Sequence, residues 1–89
     1  MKTIEIYSAK YCSYCQDAKA FFAERNIPFT EFDVTKDLEK RKWLQEVTKQ
    51  QTVPQIFIDG VSIGGYSDLL SLEEQGRLEK MLAPSLERK

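Results

Sequence analysis

Two cysteines separated by two residues are the side chains with the clearest chemical potential. Cys12-Ser13-Tyr14-Cys15 lies where a strand-like pattern gives way to a helical one. Amide N–H groups at the start of a helix lack partners within the helix and carry partial positive charge, so they stabilise an anion such as a thiolate. We therefore predict that Cys12 is the more acidic thiol and the nucleophile, with Lys10 adding positive charge nearby. Cys15, one turn further in, is predicted to be more buried, less ionised and suited to attack a mixed disulfide.

Other interpretations of a C-x-x-C pair stay open on these residues alone. The cysteines could be inert core residues, a structural disulfide or half of a zinc site. Zinc needs four ligands of the Cys or His kind, and the sequence has no His and two cysteines, so zinc would require a dimer and no metal site is predicted. The position of the motif between a strand and a helix disfavours an inert pair.

A second feature lies far away in the sequence, at Thr52-Val53-Pro54. It precedes a strand that must lie inside the sheet, where proline is disfavoured because it cannot donate a hydrogen bond to the neighbouring strand. A trans proline that starts the strand is one solution. A cis Val53–Pro54 bond is the other, and it would leave the backbone of Val53 free to pair with an extended ligand.

The elements that position these motifs follow from the hydrophobic pattern. Residues 3–7 alternate as a short strand, and residues 13–25 have apolar positions at helical spacing. Asn26 and Pro28 end that helix. Residues 29–34 predict a second strand, so this strand–helix–strand unit predicts two parallel strands with a right-handed crossover.

The middle of the chain predicts a helix and a hairpin. A moderately amphipathic helix is predicted over residues 37–48. Residues 55–58 and 61–63 are short apolar runs joined by Asp59-Gly60, a dipeptide that favours a tight turn because both positions tolerate positive φ. This half of the sheet is therefore predicted to be antiparallel.

The end of the chain predicts one more helix, followed by a tail from Pro84. Ser67 or Asp68 is predicted to cap a helix that begins at Leu69. Its apolar side consists of Leu78, Met81 and Leu82. The resulting order, β-α-β-α-β-β-α, predicts an α/β fold in which helices cover both faces of a mixed sheet of four strands.

Composition limits the function classes. A chain of 89 residues, 42% of them hydrophobic, is enough for a single domain spanning residues 1–89. A formal net charge of −1 gives no reason to expect nucleic acid or an anionic membrane as the main partner. The sequence has neither a signal-peptide pattern nor an apolar run of membrane-spanning length, so we expect a cytoplasmic protein.

Three motifs together carry a resemblance to a known family. Residues 10–15 (KYCSYC), 52–58 (TVPQIFI) and 64–69 (GGYSDL) occur in an order and at intervals that resemble the glutaredoxins, in particular their small bacterial members. The resemblance extends over residues 3–82. It implies a thioredoxin-like fold with the proline in cis facing the cysteines. It also implies the reduction of protein disulfides and of glutathione mixed disulfides, with glutathione as the reductant.

The resemblance also implies roles for individual residues. Cys12 would attack and carry the glutathionyl group, and Cys15 would resolve protein disulfides. The implied glutathione-binding residues are Lys10, Tyr14, Thr52, Val53, Pro54, Ser67 and Asp68. These fit a short anionic peptide, which needs a strand-like edge, a cation for a carboxylate and an anion for its amino group.

Two of these assignments have alternatives. Lys40 or Arg41 could bind the glycyl carboxylate, although charges on that helix are also typical of a solvated face. Asp68 would hold the γ-glutamyl end, or cap its helix, or do both. The expected partners are glutathione and proteins that contain disulfides or glutathionylated cysteines, and the chain is expected to be a monomer.

One residue departs from the commonest family pattern, which has proline after the first cysteine. Ser13 restores a backbone N–H at that position and is predicted to donate to the Cys12 sulfur or to loosen the loop. The departure also permits a second function, a 2Fe–2S cluster carried between two chains by Cys12 from each and two glutathione thiols. A thioredoxin-like reductase served by a flavoenzyme is a weaker third alternative, because the motif lacks the expected Trp-Cys-Gly-Pro-Cys context.

Overall fold

The computed structural model describes residues 3–82. Over that range the chain alternates strands and helices much as the hydrophobic pattern predicts. The elements are β1 (Ile4–Ser8), α1 (Ser13–Glu24), β2 (Thr30–Asp33), α2 (Leu38–Thr48), β3 (Gln55–Ile58), β4 (Val61–Gly64), α3 (Tyr66–Glu74) and α4 (Arg77–Leu82).

The four strands form one mixed sheet in the order β2-β1-β3-β4. β1 and β2 are parallel, with Ile6 opposite Glu31 and Ser8 opposite Asp33. β3 is antiparallel to both β1 and β4. The predicted parallel first half and antiparallel second half are therefore confirmed.

Helices pack on both faces of the sheet, which confirms the predicted α/β architecture. The first face is covered by α1, α3 and α4, and its buried core consists of Ile4, Ile6, Ala18, Phe21, Phe22, Ile56, Ile58, Leu69 and Leu78. The second face is covered by α2, and its buried core consists of Tyr7, Val34, Leu44 and Phe57. Alternate residues of β1 and β3 supply the two cores because successive side chains of a strand point to opposite faces.

The turns fall where the sequence predicts them. Asn26 has φ 57° just after the end of α1, a conformation that asparagine tolerates better than most residues. Asp59 and Gly60 both have positive φ, 54° and 84°, as a tight hairpin of this type requires. The hairpin prediction is confirmed.

The last helix differs from its prediction in two ways. It begins at Tyr66 rather than at Leu69, because Gly65 takes the N-cap position. It is also divided in two, since Gly76 has φ 74° between α3 and α4, and a glycine in this conformation ends a helix. Leu78 is buried and Leu82 packs against the core, as predicted. The predicted tail from Pro84 lies outside the described residues.

No helix within residues 3–82 combines the length and the apolar character needed to cross a membrane.

Candidate active site

Cys12 is the N-cap residue of α1, with an extended backbone at φ −102° and ψ 109°. Its Sγ accepts a hydrogen bond from the Cys15 backbone N–H at 3.0 Å. The cap of a helix normally accepts this bond through an oxygen of Ser, Thr, Asp or Asn. Here a sulfur takes that place, so an amide proton and the positive end of the helix both favour negative charge on Cys12.

Cys15 is fully buried at 0% exposure, whereas Cys12 is half-buried, and both are free thiols. Burial, and next the side-chain hydrogen bond with Cys12, raise the pKa of the Cys15 thiol to about 12. A backbone hydrogen bond at Ala9 and the charge of Lys19 act in the opposite direction. The prediction that the second cysteine is the more buried of the two is therefore confirmed.

The Val53–Pro54 peptide bond is cis, as the resemblance implies, and it lies next to the cysteines. The Cys12 thiol donates to the Val53 carbonyl oxygen at 3.4 Å. A thiolate cannot donate, so ionisation of Cys12 releases this carbonyl for another partner. Pro54 is buried, Val53 is half-buried and Thr52 is exposed, which leaves the edge of this segment facing outward.

Two glycines bring the start of α3 against the cis-proline segment. Gly64 has φ 99°, and a Cβ at this position would collide with the Asp68 carboxylate. A Cβ on Gly65 would lie 3.3 Å from the Pro54 carbonyl oxygen. Asp68 Oδ2 accepts the Gly65 N–H at 2.9 Å, so the capping role predicted for Asp68 is confirmed, although it acts from the third helical position rather than as the N-cap.

Exposed aromatic rings border Cys12. Tyr14, 63% exposed, stacks on Tyr66 of α3 with ring centroids 6.1 Å apart. Tyr11, 65% exposed, accepts a hydrogen bond at its hydroxyl oxygen from Nη1 of Arg41 at 2.8 Å. This bond ties α2 to the loop that carries the first cysteine.

The two cations considered on α2 have different surroundings. Arg41 lines a recess together with Thr52 and Val53, so it faces the cis-proline segment. Lys40 instead lies over the ring of Trp43, 5.1 Å from the centroid. Of the two, Arg41 is the cation that the fold brings to the site.

Lys10 lies on the loop between β1 and α1, with its side chain exposed. Its backbone N–H donates to Oγ1 of Thr35 at 2.8 Å, which fixes the loop to the segment after β2. The side chain lines a cleft of about 700 Å³ whose other walls come from residues 33–39. Lys10 therefore stands at the junction of this cleft and the cysteine loop.

The fold gathers most of the predicted site residues at one end of the sheet. Cys12 is hydrogen-bonded both to Cys15 and to Val53. The start of α3, which carries Asp68, lies next to Pro54. Ser67 lies exposed in the first turn of the same helix. The roles of these residues in binding remain predictions.

Sequence reasoning missed two interactions beside the cysteines. One is the bond between Arg41 and Tyr11, which joins residues 30 positions apart. The other is a chain of contacts from Ser8 through Glu31 to Lys19. Strand alternation places Glu31 on the same face as Ser8, and this was the available signal for the contacts from Ser8 to Lys19. Nothing in the spacing of the sequence indicated the bond between Arg41 and Tyr11.

The fold and the cysteine geometry together define a class of protein. A mixed sheet of this order, a C-x-x-C pair at the start of the first helix and an adjacent cis-proline are the features of a thioredoxin-like fold that carries a dithiol site. Proteins of this class exchange thiols and disulfides through the cysteine nearer the helix end.

Comparison with known proteins gives the family. The family model described as Glutaredoxin matches residues 4–63. Glutaredoxin 1 of Rickettsia prowazekii is 42% identical over 84 residues, which cover 92% of this chain and 88% of that protein. Glutaredoxin 3 of Escherichia coli K12 is 38% identical over 82 residues, which cover 92% of this chain and 99% of that protein.

The solved structures agree with this result. A crystal structure of a buckwheat glutaredoxin–glutathione complex matches with a TM-score of 0.84 and 27% identity, covering 92% of this chain and 77% of that one. The chain belongs to the glutaredoxin family, whose members are glutathione-dependent thiol–disulfide oxidoreductases. The family, the fold and the enzyme class predicted from the sequence are confirmed.

Proposed function

We propose that this enzyme reduces protein disulfides and glutathione mixed disulfides, with Cys12 as the nucleophile, Cys15 as the resolving thiol and glutathione as the reductant. The observation that carries the proposal is the unequal environment of the two sulfurs. Cys12 is reachable from solvent and accepts an amide hydrogen bond at the start of α1. Cys15 is buried, and burial raises the pKa of its thiol.

The first step is attack by the Cys12 thiolate on a disulfide of the substrate. A new bond forms between the Cys12 sulfur and one substrate sulfur, and the other substrate sulfur leaves as a thiolate that takes a proton from water. With a glutathionylated protein, the glutathionyl group passes to Cys12 and the protein thiol leaves. A second glutathione thiolate then attacks the glutathionyl sulfur, which yields oxidised glutathione and restores the Cys12 thiolate.

A protein disulfide needs the second cysteine. Once Cys12 is joined to the protein, the Cys15 thiolate attacks the Cys12 sulfur, an intramolecular disulfide forms and the protein leaves with both sulfurs reduced. Two of the effects that raise the pKa of Cys15 come from Cys12, through its hydrogen bond and its charge. Both disappear when Cys12 is part of a mixed disulfide, so formation of this intermediate itself makes Cys15 easier to ionise.

Glutathione binding is proposed along the groove between the cysteine loop, the cis-proline segment and α3. Val53 supplies the backbone edge, and its carbonyl becomes available when Cys12 ionises. Asp68 offers an anion to the γ-glutamyl amino group, since one of its oxygens accepts the Gly65 N–H and the other has further acceptor capacity. Lys10 and Arg41 supply the cations, and Arg41 is favoured over Lys40 by its place beside Val53.

Three residues complete the proposed groove. Tyr14 forms a wall through its stack on Tyr66. Thr52 precedes the exposed edge, and its carbonyl accepts a bond from Nε2 of Gln55 at 2.8 Å, which holds the segment in place. Ser67 adds a hydroxyl in the first turn of α3, where backbone N–H groups favour a carboxylate.

The test is a glutathione-coupled assay on two substrates, a glutathionylated peptide and a protein disulfide. We expect Cys12→Ser to lose turnover on both substrates. Cys15→Ser is expected to keep turnover of the glutathionylated peptide and to lose reduction of the protein disulfide, because it lacks the resolving thiol. Full protein-disulfide turnover by Cys15→Ser would refute the assigned role of Cys15.

The domain organisation, the oligomeric state and the location of the enzyme are also proposals. We propose that residues 1–89 act as one monomeric domain in the cytoplasm, where glutathione keeps thiols reduced. The two separate cores of the described residues share a single sheet, which supports one cooperative unit. Size-exclusion chromatography with light scattering tests the monomer, and a dimer in the presence of glutathione would contradict it.

The iron–sulfur alternative stays a prediction. Among residues 3–82, no group of three or more His, Cys, Asp or Glu side chains could hold a metal ion. A cluster would therefore need Cys12 from each of two chains and two further thiols, which glutathione could supply. Anaerobic reconstitution with iron, sulfide and glutathione, followed by a visible spectrum, separates a coloured dimer from a colourless monomer.

A further inference from the structure

A hydrogen-bonded set of side chains lies beneath the first turns of α1, outside the proposed glutathione groove. Ser8, at the end of β1, donates from its hydroxyl to Oε2 of Glu31 on β2 at 2.6 Å. The same carboxylate oxygen accepts from Nζ of Lys19 on α1 at 2.8 Å. We call this set the Ser8–Glu31–Lys19 network.

The network joins β1, β2 and α1, the helix that carries Cys15. Ser8 is only 2% exposed, and its buried hydroxyl has the carboxylate of Glu31 as its hydrogen-bond partner. Lys19 follows Cys15 by four residues on α1, which places both side chains on one face of the helix. The lysine side chain is 21% exposed, so its charge is partly shielded from solvent.

The hydrogen bonds restrict where the ammonium group can go. A free lysine on a helix surface explores many rotamers and spends most of its time in solvent. Lys19 instead has its Nζ fixed to a carboxylate on the sheet side, and that carboxylate is fixed by Ser8. The two hydrogen bonds also hold the pKa of Glu31 below its usual value, the one from Lys19 more than the one from Ser8. The carboxylate is therefore ionised at neutral pH.

We propose that Lys19, held in place by Glu31 and Ser8, is the cation that stabilises the Cys15 thiolate when it attacks the Cys12 mixed disulfide. The inference rests on the proposed function and deepens it, because it assigns a residue to the resolving step alone. Glu31 and Ser8 are positioning residues that act through the lysine. Deglutathionylation by Cys12 and glutathione does not use the Cys15 thiolate and is independent of Lys19.

The resolving step needs such a cation because it must form an anion in a buried place. Burial, and next the hydrogen bond with Cys12, raise the pKa of Cys15 to about 12 in the reduced protein, and Lys19 opposes the rise. When Cys12 is in a mixed disulfide, its own contributions vanish and the burial remains. Lys19 and the backbone at Ala9 are then the influences that favour the thiolate.

The charged and titratable groups around Cys15 come from several elements. Glu31 and Asp33 are anions and oppose the field of the lysine, so the effect we propose is the net effect of this set. Lys19 also lowers the pKa of Asp33, after the larger effect of two hydrogen bonds from Thr35. The charged and titratable groups that act on Cys15 or on the network are Cys12 at the start of α1, Lys19 on α1, Glu31 and Asp33 on β2, and Lys10 through its effect on Asp33.

The step is balanced within the mixed disulfide. Cys15 loses its proton to water, and its sulfur forms a bond to the Cys12 sulfur. The bond between Cys12 and the substrate sulfur breaks, and the substrate leaves as a thiolate. Up to this point the enzyme dithiol has been oxidised by two electrons and the substrate disulfide reduced by two; two glutathione molecules then restore the dithiol and form oxidised glutathione.

A two-phase stopped-flow experiment isolates this step. Reduced enzyme is mixed with 5,5′-dithiobis(2-nitrobenzoate), whose coloured thiolate is released once when Cys12 attacks and again when Cys15 resolves the mixed disulfide. Both rates are followed across about pH 5 to 9 for the wild type, Lys19→Gln, Lys19→Arg and Lys42→Gln. Lys42 is an exposed residue of α2, so its variant is matched to Lys19→Gln in net charge.

We expect Lys19→Gln to slow the second phase about three- to tenfold at pH 7 and to shift its curve of rate against pH to higher pH, because the rate follows the thiolate fraction. The first phase should be unchanged. Lys19→Arg and Lys42→Gln should each stay within about twofold of the wild type in both phases.

Several outcomes would overturn the inference. They are a second phase in Lys19→Gln with the rate and pH dependence of the wild type, equal slowing in Lys19→Gln and Lys19→Arg, or equal slowing of both phases. Loss of the first phase in the wild type would instead contradict the proposed role of Cys12. The two failures are therefore distinguishable in one experiment.

Discussion

Replacing Gly64 with alanine tests whether the close approach of α3 shapes the site. Gly64 has φ 99°, and an added Cβ would collide with the Asp68 carboxylate. Gly60 is a matched control, because it has φ 84° but no atom within 4 Å of an added Cβ. Gly60→Ala therefore reports the backbone cost of positive φ alone, about 1–2 kcal/mol.

The extra cost at Gly64 comes from the displaced carboxylate. Moving Asp68 breaks its bond to the Gly65 N–H, 2.9 Å long, which contributes about 0.5–1.5 kcal/mol. Forcing the side chain from its preferred rotamer adds about 0.5–1.5 kcal/mol. We expect Gly64→Ala to lower the free energy of unfolding by about 1–3 kcal/mol more than Gly60→Ala does.

Urea unfolding followed by tryptophan fluorescence measures this difference. Trp43 is the single tryptophan of the chain, and it stacks on the buried ring of Phe57, so its emission reports on the core beneath α2. The KM for a glutathionylated peptide should also rise at least about threefold in Gly64→Ala and stay unchanged in Gly60→Ala. Equal destabilisation by the two variants, together with equal KM values, would refute this account of the α3 approach.

Two further predictions concern charged groups. The pKa of Glu31 is lowered first by Lys19 and then by Ser8, so these contacts stabilise the fold above the unfolded pKa and the stabilisation is lost as pH falls through the folded value. The difference in unfolding free energy between wild type and Glu31→Gln should accordingly be full at pH 7 and shrink below about pH 4.3, and a difference that grows on acidification would contradict this. Arg41→Gln should raise the KM for the glutathionylated peptide about three- to tenfold with little change in kcat, while Lys40→Gln serves as the matched control. Equal effects of the two variants would show that the recess beside Val53 does not distinguish the two cations.

Much of the fold could be predicted because its signals are local. The hairpin at Asp59-Gly60 and the end of α1 at Asn26 depend on residues that tolerate positive φ, and such residues are visible in the sequence. The buried state of Cys15 follows in the same way, from its place one turn into an amphipathic helix. These features involve few contacts that are distant in the chain.

The start of the last helix and its division into two were both indicated by glycines, but the apolar pattern outweighed those signals. Gly65 can cap a helix, and Asp68 three residues later accepts the Gly65 N–H as the third helical residue of a capping box does. Gly76 is the typical glycine just beyond a helix end. The apolar periodicity begins only at Leu69, after the Gly65 signal, and it continues past Gly76 to Leu78, so it predicted a single helix with a late start.

The interactions around the cysteines could not be predicted from spacing. Arg41 and Tyr11 meet because α2 packs beside the cysteine loop, and this depends on how two elements are oriented. The cis form of Val53–Pro54 was open on local grounds and was indicated by the resemblance of three motifs. Side-chain partners between elements require the assembled sheet, since residue types alone leave many pairings open.

The rate of Cys12 alkylation tests the central claim most directly. Iodoacetamide is reacted with the Cys15→Ser variant, which retains the N–H donor that hydrogen-bonds to Cys12 Sγ, and with free cysteine at pH 7. We expect Cys12 to react at least about tenfold faster than free cysteine, because the amide N–H groups at the start of α1 stabilise negative charge on its sulfur. A rate equal to that of free cysteine would contradict the claim that the start of α1 stabilises the anion on Cys12.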